Sequence, residues 1–215
     1  MEKDKETFET WNKIASLYQE KFMDLELYNE TYDFVCSAIS DDNAKIADIG
    51  CGPGNISKYL LAKRPSFNLY GIDIAPNMVE LAKRNNPNAN FDVMDCRNIG
   101  KLHEKFDGII CGFCLPYLSH TEGEKLIADC SQLLNGDGIF YISFVEGDLS
   151  KSGYQVGSSG DRIFFYYYNL NMLQTLLMDN DLEELRVFKL QYKRSEAASE
   201  IHTILIARKR AISKH

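Results

Sequence analysis

The sequence predicts an α/β protein built on a doubly wound, mostly parallel sheet. From residue 44 onward, short apolar runs alternate with segments of helical periodicity. Repeated strand–helix alternation closes into a parallel sheet with helices on both faces. A cluster of glycines ends the first apolar run, where such a sheet turns into its first helix.

Each element has its own signal. AKIADIG (44–50) reads as a buried strand, and a helix follows from about Asn55 to Lys63. FNLYGID (67–73) is a second strand, and Pro76 stands where a helix through Lys83 begins. NFDVMD (90–95) is a third strand ending on Asp95, and FDGIICGF (106–113) a fourth, apolar through its centre as a doubly covered strand is. Thr121 and Glu124 have capping-box spacing ahead of a helix reaching about Leu134. Asn135-Gly136-Asp137-Gly138 is expected to stop that helix before a fifth strand, IFYISFV (139–145).

The ends break this rhythm. Residues 4–40 read as helical, with Phe8, Trp11, Ile14, Ala15 and Tyr18 at three- and four-residue spacing. The Gly- and Ser-rich stretch 147–161 is expected to be a loop or hairpin, IFFYYY (163–168) extended and LNMLQTLLMD (170–179) helical. LRVFKLQYKR and IHTILIARKR read as two strands joined by a charged turn. One domain is expected: a helical cap (1–43), a ligand-binding core (44–145) and a closing region (146–215).

Composition removes several function classes. With 24 Lys and Arg against 31 Asp and Glu, the net charge is -7, which counts against backbone-driven nucleic-acid binding. The six cysteines are irregularly spaced inside apolar segments, which suits a reducing, cytoplasmic setting better than a disulfide scaffold. No uncharged apolar run approaches the roughly 18–20 residues that span a bilayer, and MEKDKETFET is too charged for a signal peptide. Arg208, Lys209, Arg210 and Lys214 read as a solvated strand end and tail.

Asp48-Ile49-Gly50-Cys51-Gly52-Pro53-Gly54 carries the strongest functional signal. Glycines there let the backbone turn tightly and approach a ligand, with the N–H groups of the next helix facing it. Asp73 follows the last glycine by 73 − 54 = 19 residues, the place of a carboxylate that accepts hydrogen bonds from ribose hydroxyls. Asp95, with Cys96 and Arg97, stands where an adenine edge is met, and Asp48 where a carboxylate attracts an ammonium group. Asp73 and Asp95 also suit plain helix caps. A dinucleotide site wants its third glycine at position 55, which is Asn here.

IADIGCGPGNISKYL, YGIDIAPNMVELAK, DVMDCRNI and FDGIICGFCLPYLS resemble, in order, the motifs of class I S-adenosylmethionine-dependent methyltransferases. WNKIASLYQE resembles the opening of their small-molecule branch, and the likeness runs from about residue 8 to 145. It implies a Rossmann-like sheet of seven strands with the last antiparallel. It also implies that Gly50, Gly52 and Gly54 border the methionine moiety with Asp48 nearby, and that Asp73 holds the ribose. Asp95, Cys96 and Arg97 would take the adenine, Ile74 and Met78 flank its ring, and Cys111 and Phe113 lie along the methionine chain.

Weaker signals fill in the rest. Cys111 and Cys114 match C-x-x-C, but no second ligand pair follows at zinc spacing, so no metal is expected and core packing is the better reading. His120 follows the fourth strand at the ligand edge and is a candidate general base, with Tyr117 the other catalytic candidate. Trp11, Tyr18, Tyr28, Tyr117 and some of the run Phe164 to Tyr168 are candidates to line a pocket over a cationic sulfonium. The reading is in-line methyl transfer from S-adenosylmethionine to a small-molecule acceptor. Three alternatives stay open: a methyltransferase acting on RNA, DNA or protein, a non-catalytic cofactor-binding module, and an NAD(P)-dependent oxidoreductase. Asn-Pro-Pro-Tyr, which amino-methylating DNA enzymes carry after the fourth strand, is replaced by Gly112-Phe113-Cys114-Leu115.

Overall fold

The computed structural model describes residues 2–156, 160–194 and 199–211. The charged turn expected between the last two strands lies partly outside them, as does Lys214. Strands β1 (Lys45–Ile49), β2 (Asn68–Asp73), β3 (Asn90–Val93), β4 (Phe106–Cys111), β5 (Leu134–Val145), β8 (Leu182–Lys193) and β9 (Ser199–Lys209) form one sheet. A separate antiparallel hairpin, β6 (Gly153–Val156) with β7 (Arg162–Phe165), realises the expected Gly/Ser-rich feature. The main sheet runs β3-β2-β1-β4-β5-β9-β8, and only β9 opposes its neighbours on both sides. The expected seven strands and antiparallel final strand are both present. Strand order reverses between β1 and β4, which leaves a crevice outside the carboxyl ends of the strands.

Side-chain alternation explains the two cores. Along β5, Phe140, Ile142 and Phe144 pack on one face with Leu126, Ile127 and Cys130 of α6 (His120–Leu133) and Leu173 and Leu177 of α7 (Leu170–Asp179). Ile139 and Tyr141 pack on the other face, with Val35 of α3 (Asn29–Ala38), Leu60 of α4 (Asn55–Lys63) and Val79 of α5 (Pro76–Asn85). Both faces are apolar, which is why the central strands lack a polar stripe. The N-terminal α1 (Glu2–Lys13) and α2 (Ala15–Phe22) roof the crevice. Trp11, Ala15 and Tyr18 pack there on Met78 and Leu81 of α5. The Thr7 hydroxyl accepts from Phe164 N–H at 3.0 Å, and the Thr10 hydroxyl donates to the Arg162 carbonyl at 3.0 Å, locking α1 to β7. No helix among the described residues is long and apolar enough to cross a membrane.

Three local expectations are corrected. The capping box of α6 is Ser119 with Glu122, two residues before the expected Thr121–Glu124 pair. The Glu122 carboxylate accepts both the Ser119 N–H and its hydroxyl, so the helix starts at His120. Residues 135–138 lie inside β5, because the chain leaves α6 straight into the strand at Leu134 and absorbs the left-handed Asp137 as an irregularity in the pairing with β4. Finally, β3 stops at Val93, and Asp95 instead caps the 3-10 turn Cys96–Lys101 by accepting the Arg97 N–H at 2.9 Å.

Candidate functional site

Two joined cavities occupy the crevice. Both open to solvent, and counting that open space they span about 870 and 1070 Å3. They share Trp11, Tyr18, Gly50, Gly52, Gly112, Phe113 and Tyr117 as a common wall.

The first cavity is built around the glycine turn. Gly52 has φ +54°, a left-handed conformation that L side chains rarely adopt, and its N–H donates to Asp73 Oδ2 at 2.9 Å. Asp73 Oδ1 accepts the Ala75 N–H at 2.8 Å, so one carboxylate ties the turn after β1 to the start of α5. Asp73 therefore does the bland capping work and still faces the cavity with Ile74, Met78 and Asp95. Burial pushes its carboxyl above the usual range, partly offset by these two N–H donors. On the far wall, Arg97 reaches Asp95 at 2.6 Å, Glu122 at 3.1 Å and Asp4 at 3.7 Å, which keeps the guanidinium charged and fully engaged.

Asp48 stands behind this wall. It is fully buried, accepts the Ser57 hydroxyl on Oδ2 at 2.6 Å, and leaves Oδ1 without a partner. Burial pushes its carboxyl up to about 6. An orphaned, desolvated carboxylate oxygen stores electrostatic cost that a nearby cation relieves.

Of the sequence-predicted residues, Tyr18, Gly50, Gly52, Asp73, Ile74, Met78, Asp95, Cys96, Arg97 and Phe113 line the first cavity. Asp48, Gly54 and Cys111 do not. Asp48 and Cys111 are sealed in the core, and Gly54 is a packing glycine: a Cβ there would sit 2.4 Å from Asn86 Nδ2, against α5. Cys114, expected in the core, reaches the cavity instead, with its sulfur 3.3 Å from that of Cys96. The candidate base His120 is also misplaced. Its Nε2 lies 3.1 Å from the Tyr167 carbonyl, its ring packs on Tyr166 and Tyr168, and it lines neither cavity. Tyr117 lines both, and burial pushes its phenol well above the usual range.

Aromatic side chains dominate the second cavity. Trp11 sits edge-on to Tyr18 and Tyr117 at 5.5 and 5.2 Å, and Tyr28 and Phe165 line the cavity with them. Phe164, Tyr166 and Tyr168 face away, since alternation in β7 turns Phe165 inward. Phe113, at φ +54° although not glycine, is held over both cavities by its N–H on the Ser143 hydroxyl at 2.7 Å. Sequence reasoning missed Asp4, Met94 and Cys114 in the first cavity and Tyr192, Glu200 and His202 in the second. Their signal was faint: His202 is a lone polar ring inside an apolar strand run.

The donor set discriminates among ligands. Asp4, Asp73 and Asp95 line the first cavity, and among the described residues its one lining cation, Arg97, is already engaged. Such a wall favours a cation and ribose hydroxyls over a pyrophosphate.

Residues 46–138 match a family profile described as a methyltransferase domain. A malonyl-[acyl-carrier protein] O-methyltransferase of Acetivibrio thermocellus is 32% identical over 108 residues, covering 48% of this chain and 36% of that protein. The chain spans less than half the length of the first curated relatives it matches. Among solved structures, a SAM-dependent methyltransferase from Methanosarcina mazei superposes with a TM-score of 0.71 at 18% identity, covering 83% of this chain and 98% of that one. A 1,6-didemethyltoxoflavin-N1-methyltransferase from Burkholderia thailandensis, bound to S-adenosylhomocysteine, gives 0.68 at 19% identity, covering 92% and 84%.

Proposed function

We propose that this chain is a class I S-adenosylmethionine-dependent methyltransferase that moves a methyl group from that cofactor to a small-molecule acceptor, a reading supported by the methyltransferase-domain match over residues 46–138 and by the fold. The observation that carries the reading is the joining of two cavities: a carboxylate-walled one on the glycine turn and an aromatic one, meeting at Gly52, Tyr18 and Phe113.

The residues fit the cofactor. Asp73 offers a carboxylate to ribose hydroxyls, Ile74 and Met78 offer apolar surface to a flat base, and Asp95 with Cys96 borders its edge. Gly50 and Gly52 leave room for the methionine portion, and the orphaned Asp48 oxygen favours positive charge close behind them. When bound, the cofactor supplies an electrophilic methyl on a cationic sulfur that departs as a neutral thioether. The protein's part is to hold the acceptor in line, exclude water and surround the positive charge with rings and carboxylates. Positioning of this kind supplies roughly 7–11 kcal/mol of a barrier, and a ring beside a cation about 0.5–2 kcal/mol.

A thermal-shift titration with S-adenosylmethionine, S-adenosylhomocysteine and the nicotinamide dinucleotides tests this. At 100 times its dissociation constant a native-state ligand stabilises by about 2.7 kcal/mol. Shifts with the first two alone are expected. A shift with a dinucleotide only, or with none, overturns the reading.

A further inference from the structure

His202 lies in the middle of β9, opposite Val145 of β5 and Leu190 of β8, and is only 7% exposed. Its Nδ1 is 2.7 Å from the Tyr28 hydroxyl, and its Nε2 is 3.7 Å from Glu200 Oε2. Glu200 Oε1 accepts from Arg194 at 2.8 Å. His202 and Arg194 together hold the Glu200 carboxyl below its usual range, so it is ionised. Burial pushes the Tyr28 phenol up, so it keeps its proton. For the Tyr28 hydroxyl to donate to Nδ1, the ring hydrogen must sit on Nε2, the nitrogen on the side of Glu200. Tyr192 stacks on the imidazole at 4.7 Å, and Phe113 meets it at 4.7 Å. Among the described residues, Tyr28, Tyr192, Glu200 and, through Glu200, Arg194 are the titratable and charged groups around it. Tyr28, His202 and Glu200 all line the second cavity.

We propose that Tyr28, His202 and Glu200 form a general base for the acceptor, and that the acceptor is a planar aromatic hydroxyl compound. The proposal rests on the methyl-transfer reading above. A base is superfluous for a carboxylic acid, already ionised at neutral pH, and for an amine that enters unprotonated and attacks through its own lone pair. Aliphatic hydroxyls are too weakly acidic for an imidazole, whereas a ring hydroxyl is within its reach. Trp11, Tyr18, Tyr117 and Phe165 line the same cavity and offer aromatic surface on which a flat ring packs. In the step, the acceptor O–H gives its proton to the Tyr28 oxygen while Tyr28 passes its own to His202 Nδ1. The acceptor oxygen forms its bond to the methyl carbon as the carbon–sulfur bond breaks, and that electron pair stays on sulfur. Glu200 balances the imidazolium, which returns its proton to solvent once product leaves.

The test uses 4-nitrophenol as probe, on protein saturated with S-adenosylhomocysteine, at a pH where the free probe is mostly protonated. Calorimetry first measures S-adenosylhomocysteine binding, and the phenolate absorbance band then measures ionisation of bound probe. Wild type should bind the probe largely as phenolate. Tyr28→Phe and His202→Asn should bind S-adenosylhomocysteine as wild type does and lose the phenolate band at least tenfold. Because replacing buried His202 can unfold the chain, Tyr28→Phe, which keeps the ring and removes one hydroxyl, stands as the deciding variant. A probe that binds without ionising, a probe that fails to bind, or undiminished ionisation in Tyr28→Phe overturns the proposal. Failure to bind S-adenosylhomocysteine overturns the cofactor reading instead, and the two failures are distinguishable.

Discussion

Replacing Asp48 with Asn perturbs folding and ligand binding in opposite directions. In the wild type this carboxyl is fully buried with one oxygen unpartnered, and burial pushes it up to about 6. Against the ordinary Asp value of about 3.9, that is worth ~3 kcal/mol at ~1.4 kcal/mol per pH unit. The folded chain holds this proton more tightly than the unfolded chain, so unfolding free energy falls as pH rises from about 4 to about 6, then levels. Asp48→Asn is neutral throughout and still offers Ser57 an acceptor. The ligand-free variant should therefore exceed wild type above pH 6 by up to ~3 kcal/mol, less ~1–3 kcal/mol for an unpaired buried amide group. Urea unfolding between pH 4 and 7 reads both the gain and the flattened slope. The same variant should bind S-adenosylmethionine more weakly by calorimetry, since it has no negative charge for the ligand's cations to relieve. Identical pH slopes in variant and wild type would refute the reasoning, because they would mean that Asp48 does not titrate in that window.

Other substitutions separate binding from folding. Asp73→Ala removes the acceptor of two N–H groups at 2.9 and 2.8 Å as well as the cavity carboxylate. It should cost ~1.5–3 kcal/mol of S-adenosylhomocysteine affinity, about 10–150-fold, with the fold retained; unchanged affinity in calorimetry removes the ribose assignment. Gly52→Val forces a branched side chain onto a φ of +54° at the shared wall, so the thermal shift with S-adenosylmethionine should vanish while far-UV circular dichroism persists. A variant that still binds tightly would make the turn purely structural. Glu122→Ala breaks the capping box and one Arg97 contact and should lower the unfolding free energy by ~1–2 kcal/mol, whereas Glu124→Ala should stay within ~0.5 kcal/mol. Equal effects in urea melts would restore the Thr121–Glu124 cap.

Part of this molecule is legible in its local patterns. The helix 55–63 and the helix 170–179 fall where periodicity and their flanking residues place them. The central strands are found because both faces are apolar, and the glycine turn because left-handed backbone demands glycine. The N-cap of α6 was misplaced because Ser119–Glu122 and Thr121–Glu124 have the same spacing, and only the observed hydrogen bonds choose between them.

By itself the sequence determined the fold class and named most of the residues that line the first cavity. Those depend on residues close to one another along the chain: a strand end, the turn after it, the first residues of the next helix. Of the second cavity, the sequence offered aromatic candidates such as Trp11, Tyr28 and Tyr117, and tertiary structure alone decided its polar side. His202 reaches Tyr28 across 174 positions, and β9 must cross the sheet antiparallel to bring them together. Likewise Asp48, Gly54 and Cys111 share a motif with cavity residues, yet packing against Ser57, Asn86 and the core turns them inward. A strand's period of two assigns a face to each residue, but which face becomes wall and which becomes core depends on the helices that settle on it.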